Sequence, residues 1–529
     1  MKLVSYAVKL LGDLVSPPLV YLRLREHFSC SCLLESSDYR GVENSRSFIG
    51  VMPLASVRVK DGVLYREILS EPKIRKELSQ NKNALVNELN DFLEGFDYEL
   101  KIIKPDQEGS SYFYPSAIHP SRVSFSEVPF SGLFGYMNYD AVQYFENIKF
   151  NNKRDEEREI FDASYSLFRY IIQINHFKSE LYITRNVLPE IEMEGQEEDE
   201  IECSVKESLK SISRIIFQGR TGVSSFRASG ERTSNFTDKE HIEIIEKCKK
   251  HIQRGDIFQI VPSRRFSQNF SGDDFLVYRA LRAINPSPYL FYFDLGDYRL
   301  FGSSPEALLT VSNGRASSYP IAGTVPRTGD SEVDGRRANE LLLDPKENSE
   351  HVMLVDLARN DLSRFCTNVS VPVFREVQNY SHVIHLVSRV DGIMDKEINP
   401  FQLLQATLPA GTLSGAPKYR AMELIDSFER GNRGYYAGAV GTVGFSRKDA
   451  QGKHLPGELN HAIMIRSLLS KNNTLFSQAG GGIVAESDPD KEVEEVKSKL
   501  EAIRYAIRLA EEISSEHIDS LTQGTGDTK

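Results

Sequence analysis

Apolar side chains recur at helical spacing from 237 to 254, with Ile242, Ile245 and Cys248 turned inward. Strand-like runs follow at 256–266, 289–295, 299–311 and 316–320. From Asp344 to Arg364 the pattern returns to helix, with Val352, Met353, Val355 and Leu357 as its buried material. Val369–Phe374 and His382–Val390 read as strands, 415–428 as helix, and 435–446, 460–470 and 474–484 as strands. A final helix opens at Asp488-Pro489 and carries a stripe of Val493, Val496, Leu500, Ile503 and Ile507. Earlier in the chain, Cys32–Ser36 and Arg46–Gly50 look like adjacent strands. Gly132–Asp140 is aromatic and glycine-rich, as in a strand packed closely on its neighbours.

This order has neither strict βα alternation nor a repeat. It predicts an α+β fold, a large antiparallel-rich β-sandwich with helices packed on the outside. Residues 189–203 are acidic and poor in aromatics, and 219–236 are rich in Ser, Gly and Arg. The expected division is an N-terminal domain at 1–190, a linker at 191–236, a second domain at 237–512 and a flexible tail at 513–529.

Composition narrows the function. With 529 residues, 40% hydrophobic and 26% charged, the chain is long enough for a large core. A formal charge of −11 with no basic block argues against a nucleic-acid partner. No apolar run approaches the length of a membrane span, and the N-terminus lacks a clean signal-peptide core. The five cysteines form neither a disulfide framework nor a zinc pattern. The expectation is a reduced, cytoplasmic protein.

Chemistry gathers on the two helices that open with Asp-Pro, a good N-cap followed by a proline suited to the first helical position. Glu347, Glu350 and His351 share one face of the first. Glu492, Glu495 and Lys499 share one face of the second. Glu347 alone also fits a capping box, and both faces could simply be solvated. If the two Glu-x-x-Glu pairs met across a cleft, oxygen-only ligation would suit Mg²⁺. Gln478-Ala479-Gly480-Gly481-Gly482-Ile483 ends a strand with three glycines whose amides could cradle an anion, although a tight turn reads the same way. His385 lies in an apolar strand, where a satisfied core histidine is the plainer reading. Arg466, in HAIMIRSLL, is a charge inside an apolar strand and needs an anionic partner.

Taken together, these stretches resemble the chorismate-binding enzyme family, and within it the large, synthase subunits of anthranilate synthases. The matching segments are PIAGT at 320–324, ENSEHVMLVDLARNDLSR at 347–364, HVIHLVSRV at 382–390, LPAGTLSGAPKYRAMELI at 408–425, RGYYAGAVG at 433–441, AIMIRS at 462–467 and QAGGGIVAESDP at 478–489. LLES at 33–36 and LFGYMNYD at 133–140 match more weakly. The resemblance implies that Glu350 and Glu495 ligate Mg²⁺, with Glu347 and Glu492 in support. It implies substrate contacts from Tyr436, Arg466, Gly480, Gly481, Gly482, Gly323, Thr324, Thr412 and Lys499. His385, Thr412 and Gln259 would surround the reacting atoms, with His385 as general acid/base or orienting group near the departing C4 hydroxyl.

The resemblance also bears on the nucleophile. Isochorismate and salicylate synthases carry a water-activating lysine where this chain has Gln259. Aminodeoxychorismate synthases often carry a lysine where this chain has Ala322. Without either, ammonia is the implied nucleophile, and the products are anthranilate and pyruvate. No cysteine lies in a glutamine-amidotransferase elbow, so a separate amidotransferase subunit is the implied partner. LLES and the NPSPYLF stretch imply a feedback pocket for tryptophan at Ser36, Pro288, Tyr289 and Leu290, with Arg46 standing in for the family's lysine. The runner-up reading is an aminodeoxychorismate synthase large subunit. A third is a non-catalytic sensor of tryptophan or chorismate.

Overall fold

A computed structural model describes residues 1–36, 45–103 apart from 70 and 80, 129–379 apart from 223, 383–448 apart from 396, and 454–523. Its central feature is a ring of hydrogen-bonded strands drawn from both halves of the chain. Ser31–Glu35 pairs antiparallel with Arg46–Lys60 on one side and with Tyr289–Asp294 on the other. Arg46–Lys60 pairs along its length with Ala163–Asn175. That strand also pairs with Gly132–Met137, which pairs with Ala439–Gly444. Ala439–Gly444 continues to Leu459–Ile463. The chain then breaks at Ile465-Arg466, and Ser467–Lys471 pairs with Tyr298–Ser304, which returns to Tyr289–Asp294.

The glycines of this ring have a steric reason. A Cβ on Gly135 would lie 2.0 Å from the Ser164 carbonyl oxygen, and one on Gly441 would lie 1.9 Å from that of Asn460. Only a residue without a side chain lets the backbones approach so closely.

Two apolar cores flank the strands. One joins Tyr136, Phe168, Val440 and Leu469 to Val355 and Leu362 of the Pro345–Ser363 helix and Phe401 of the Pro400–Thr407 helix. The other joins Val4, Ile49, Ile172 and Phe301 to three helices, Glu198–Gln218, Phe275–Ile284 and Glu501–Gln523. A smaller third cluster holds Ile245, Cys248, Ile260, Leu424, Ile483 and Val493. It ties the Asp238–Gln253 helix to the Lys418–Phe428 and Pro489–Lys499 helices. This is the antiparallel-rich α+β sandwich with outer helices that the pattern predicts. No described helix is long and apolar enough to cross a membrane.

Several local expectations are corrected. The stretch 191–236 contains the amphipathic helix Glu198–Gln218 and the strand Phe226–Ser234. Its acidic residues lie on the exposed face, while Ile201, Val205, Leu209, Ile212 and Ile216 are buried. Composition concealed that periodicity. At the other end, helix continues to Gln523 where a flexible tail was expected, and 524–529 lie outside the described residues. The 299–311 run is two strands parted at Pro305, and 460–470 is two strands parted at Arg466. In the Pro345–Ser363 helix the buried positions are His351, Leu354, Val355, Ala358 and Leu362, whereas Val352 is 50% exposed. Val493, Val496, Leu500 and Ile503 of the C-terminal stripe are buried as predicted and Ile507 is partly buried, but the helix is interrupted at Leu500.

Candidate active site

Both Asp-Pro helix starts form as their chemistry dictates. Asp344 accepts from the amides of Lys346 and Glu347 at 2.8 and 3.1 Å, and Asp488 accepts from those of Asp490 and Lys491 at 3.1 and 3.2 Å. The caps fix where each helix begins and hence which way its glutamates point. The two pairs sense one another. Burial raises the Glu347, Glu350 and Glu492 pKa values, and the charges on the opposite helix add to the effect at Glu350. Glu492 is buried, and its Oε2 has no hydrogen-bond partner. Glu495 is more exposed and is held by Lys499 at 2.8 Å. Among the described residues no group of three His, Cys, Asp or Glu side chains converges tightly enough to hold a metal.

Glycines let the backbone come up to these carboxylates. Gly323 has φ +73°, and a Cβ there would lie 3.2 Å from Glu347 Oε2. A Cβ on Gly481 would lie 3.1 Å from Glu492 Oε2. Gly323 sits at a bulge between Ala322 and Thr324 in the Ile321–Pro326 strand, opposite His385. Its carbonyl accepts from His385 Nδ1 at 3.2 Å. A carbonyl can only accept, so Nδ1 carries the proton and neutral His385 presents an unprotonated Nε2. Burial first, and then the Arg466 charge, pull the His385 pKa down to about 4. The imidazole is therefore neutral near pH 7.

Sequence reasoning missed Glu306. It follows Pro305 where the strand pattern breaks, and it is 8% exposed. Burial pushes its carboxyl up to about 8, although the Thr412 hydroxyl donates to its Oε1 at 3.2 Å and Arg466 lies in its field. Glu306 thus keeps its proton at neutral pH. The available signal was an acid inside the apolar run GSSPEALLTV, the same signal that singled out Arg466. Burial in turn lowers the Arg466 pKa, and Glu306 is the acidic group that acts on it. With Glu306 protonated, the half-buried guanidinium has no full counter-charge there and is suited to an incoming anion. Arg466 has φ +49°, an unusual conformation for a residue with a side chain.

The glycine turn lies against the same site. Gly480 pairs with Ser263, its carbonyl accepts from Lys499 Nζ at 2.9 Å, and the buried Tyr436 lies near its amide. A Cβ on Gly482 would lie 2.8 Å from Gln259 Nε2. Gln259 is buried, with Oε1 unpartnered. The Ala437 amide donates to the Met464 carbonyl at 3.1 Å, so Tyr436 and Arg466 sit at neighbouring strand ends. The structure therefore gathers most of the residues singled out from the sequence into one region. Thr324 enters through its backbone pairing with His385.

A second, small cleft lies across the ring. Ser36, Arg46, Tyr289 and Leu290 line it, together with Glu35, Phe48, Thr442 and Asn460, which the sequence did not single out. Pro288 is not among the lining residues. The walls are aromatic and aliphatic, and polar groups stand at Glu35, Ser36 and Arg46. Glu35 is itself fixed by the Tyr278 hydroxyl at 2.7 Å and by Arg282 Nε at 2.8 Å.

A family model described as chorismate binding enzyme matches residues 32–505. Anthranilate synthase component 1 of Geobacillus stearothermophilus is 34% identical over 519 residues, covering 96% of this chain and 94% of that protein. The protein of the same name from Aquifex aeolicus is 38% identical over 390 residues, covering 73% and 76%. Among solved structures, anthranilate synthase component I from Streptococcus pneumoniae superposes with a TM-score of 0.65 at 30% identity, covering 93% of this chain and 98% of that one. The menaquinone-specific isochorismate synthase MenF of Escherichia coli shares the fold, with a TM-score of 0.67 at 16% identity over 95% of this chain and 94% of that one. Both the architecture and the sequence place this chain in the chorismate-binding enzyme family.

Proposed function

We propose that the chain converts chorismate and ammonia to anthranilate, pyruvate and water, with residues 237–512 supplying the chemistry. The observation that carries this reading is a buried acid, Glu306, that accepts from the Thr412 hydroxyl at 3.2 Å and lies in the field of two cations, Arg466 and the Lys499 that binds the Gly480 carbonyl. Chorismate carries two carboxylates and must lose a hydroxyl. Arg466, the Tyr436 hydroxyl and the Gly480–Gly482 amides would supply cationic, O–H and N–H contacts for the enolpyruvyl carboxylate. Thr412 and Lys499 line the same site, with Gly323 and Thr324 beyond them.

The donor chemistry of the carboxylate helices suits a hard divalent cation, although their side chains would have to draw together around it. Their donors are all oxygen, Glu492 Oε2 is buried without a partner, and the like charges raise one another. Glu350 and Glu495 would hold Mg²⁺, with Glu347 and Glu492 in support. Bound there, the ion would supply positive charge for the ring carboxylate.

The residues divide the proton work. Ammonia's lone pair forms the bond to C2, the ring double bonds shift, and the C4–O bond breaks. Glu306 gives its proton to the departing hydroxide, which leaves as water, and takes one back from the ammonium group formed at C2. His385, with Nε2 unprotonated, takes the C2 proton in the later elimination, as the C2–H and C3–O bonds break and enolpyruvate leaves, to become pyruvate by gaining a proton at its methylene carbon. This assigns His385 the base and Glu306 the acid. Gln259 offers an acceptor but cannot deprotonate water as a neutral lysine could, and Ala322 presents no amine. Both favour free ammonia as the nucleophile. A separate amidotransferase subunit would supply it from glutamine.

The Ser36–Tyr289 cleft suits an aromatic amino acid, with the ring against Phe48, Tyr289 and Leu290 and the head group near Ser36, Glu35 and Arg46. It supports feedback inhibition by tryptophan.

The deciding experiment gives the isolated chain chorismate, Mg²⁺ and ammonium salt and identifies products by fluorescence and mass. Anthranilate with equal pyruvate is expected, and glutamine should replace ammonium only when the amidotransferase is added. Isochorismate or salicylate formed without ammonia would make water the nucleophile. Accumulated 4-amino-4-deoxychorismate would favour the aminodeoxychorismate reading, and binding without turnover would favour the sensor.

A further inference from the structure

Behind Tyr436 lies a buried charge pair to which none of these roles assigns a task. Glu429 caps the Lys418–Phe428 helix, and Arg433 follows in the loop that leads to Tyr436. They are 7% and 2% exposed. Arg433 Nε lies 3.2 and 3.0 Å from the two Glu429 oxygens, and Nη2 lies 2.6 Å from Oε1.

The pair reaches outward in four directions. Arg433 Nη1 donates to the Leu413 carbonyl at 2.8 Å, next to Thr412. Nη2 donates to the Val261 carbonyl at 2.6 Å, two residues beyond Gln259. The guanidinium lies 5.6 Å from the Tyr436 ring centroid. Glu429 Oε1 accepts from both the amide and hydroxyl of Ser263 at 2.8 Å, and that hydroxyl accepts from Gln478 Nε2 at 2.7 Å. Four segments remote in sequence, carrying Gln259, Thr412, Tyr436 and the Gly480–Gly482 turn, are thus fastened to one ion pair.

A buried ion pair is a poor device for stability alone, because desolvation offsets much of its Coulomb attraction and an apolar pair often serves as well. Its forked geometry, by contrast, fixes several acceptors at once. We propose that Arg433 and Glu429 are positioning residues that set the mutual geometry of Thr412, Tyr436 and the glycine turn, and so the fit of the substrate carboxylate. The inference rests on the functional reading above, which makes those groups the substrate contacts.

The test uses the purified full chain and three variants: Arg433→Lys, Ser263→Ala, and the apolar double replacement Arg433→Met with Glu429→Leu. Thermal midpoint, kcat, and KM for chorismate and for ammonium are measured separately. The double variant removes the partners of the Leu413 and Val261 carbonyls and the Ser263 amide, so its midpoint should fall, and kinetics are compared where it is fully folded. Its KM for chorismate should rise about tenfold or more, while its KM for ammonium stays within about twofold. Arg433→Lys keeps the charge but loses the fork, and Ser263→Ala leaves no charge unpaired, so both should show the same split at smaller size. Folded variants with unchanged chorismate KM and kcat would overturn the proposal, as would a loss of kcat that only tracks the folded fraction. If the double variant does not fold, the two milder variants decide by the same criteria. No chorismate turnover by the unaltered chain would remove the functional reading itself, and this inference with it.

Discussion

The Thr412 hydroxyl donates to Glu306 Oε1 across 3.2 Å, and the carboxyl it touches still holds its proton to about pH 8. A hydrogen bond to the ionised form and a nearby arginine both favour charge, yet desolvation wins because the carboxyl is enclosed.

That balance has a pH signature. With Glu306 as the acid, kcat at constant free ammonia should fall as pH rises through about 8. Glu306→Gln should lower kcat about 10²- to 10⁴-fold and flatten that limb. The folded state binds this proton more tightly than the unfolded chain does. The stabilising effect is therefore full below the ordinary value of 4.5 and is lost as pH rises through about 8. Denaturant melts of Glu306→Gln should lack that component. An unchanged pH–rate profile in the variant would rule out Glu306 as the acid.

The carboxylate helices separate ligand from support. Glu350→Gln or Glu495→Gln should abolish Mg²⁺-dependent turnover with the fold intact, and Glu347→Gln or Glu492→Gln should be milder. Circular dichroism and a Mg²⁺ titration of the rate check this. Near-normal turnover in both presumed ligand variants would sink the two-helix site.

Gly323 offers a test of the bulge. With φ +73° and a would-be Cβ 2.9 Å from Leu341 Cδ1, Gly323→Ala should destabilise by at least about 1–2 kcal/mol. It should also lower kcat, because the carbonyl that fixes the His385 tautomer would shift. A variant as stable and active as the parent would show that the turn accommodates a side chain.

For the second cleft, tryptophan should inhibit the unaltered chain and protect it thermally. Ser36→Phe should relieve the inhibition by filling the polar end. Equal inhibition of both proteins would remove Ser36 from the site.

What could be read from the chain alone was local or compositional. The caps at Asp344 and Asp488 and the shared faces of the glutamate pairs follow from interactions within one helical turn, and the structure retains them. The α+β class followed from the order of short periodic segments. Burial and long-range pairing were not legible, because they depend on neighbours hundreds of residues away. Leu290 pairs with Glu35, and Gly441 pairs with Gly135. Only those pairings fold both halves into one ring and set Tyr289 beside Ser36. The exposure of Val352 and the burial of His351 turned on which face of one helix met the sheet. The protonation of Glu306, the neutral tautomer of His385 and the Arg433–Glu429 clasp were decided the same way. Each is set by desolvation and by partners that only tertiary packing brings within reach.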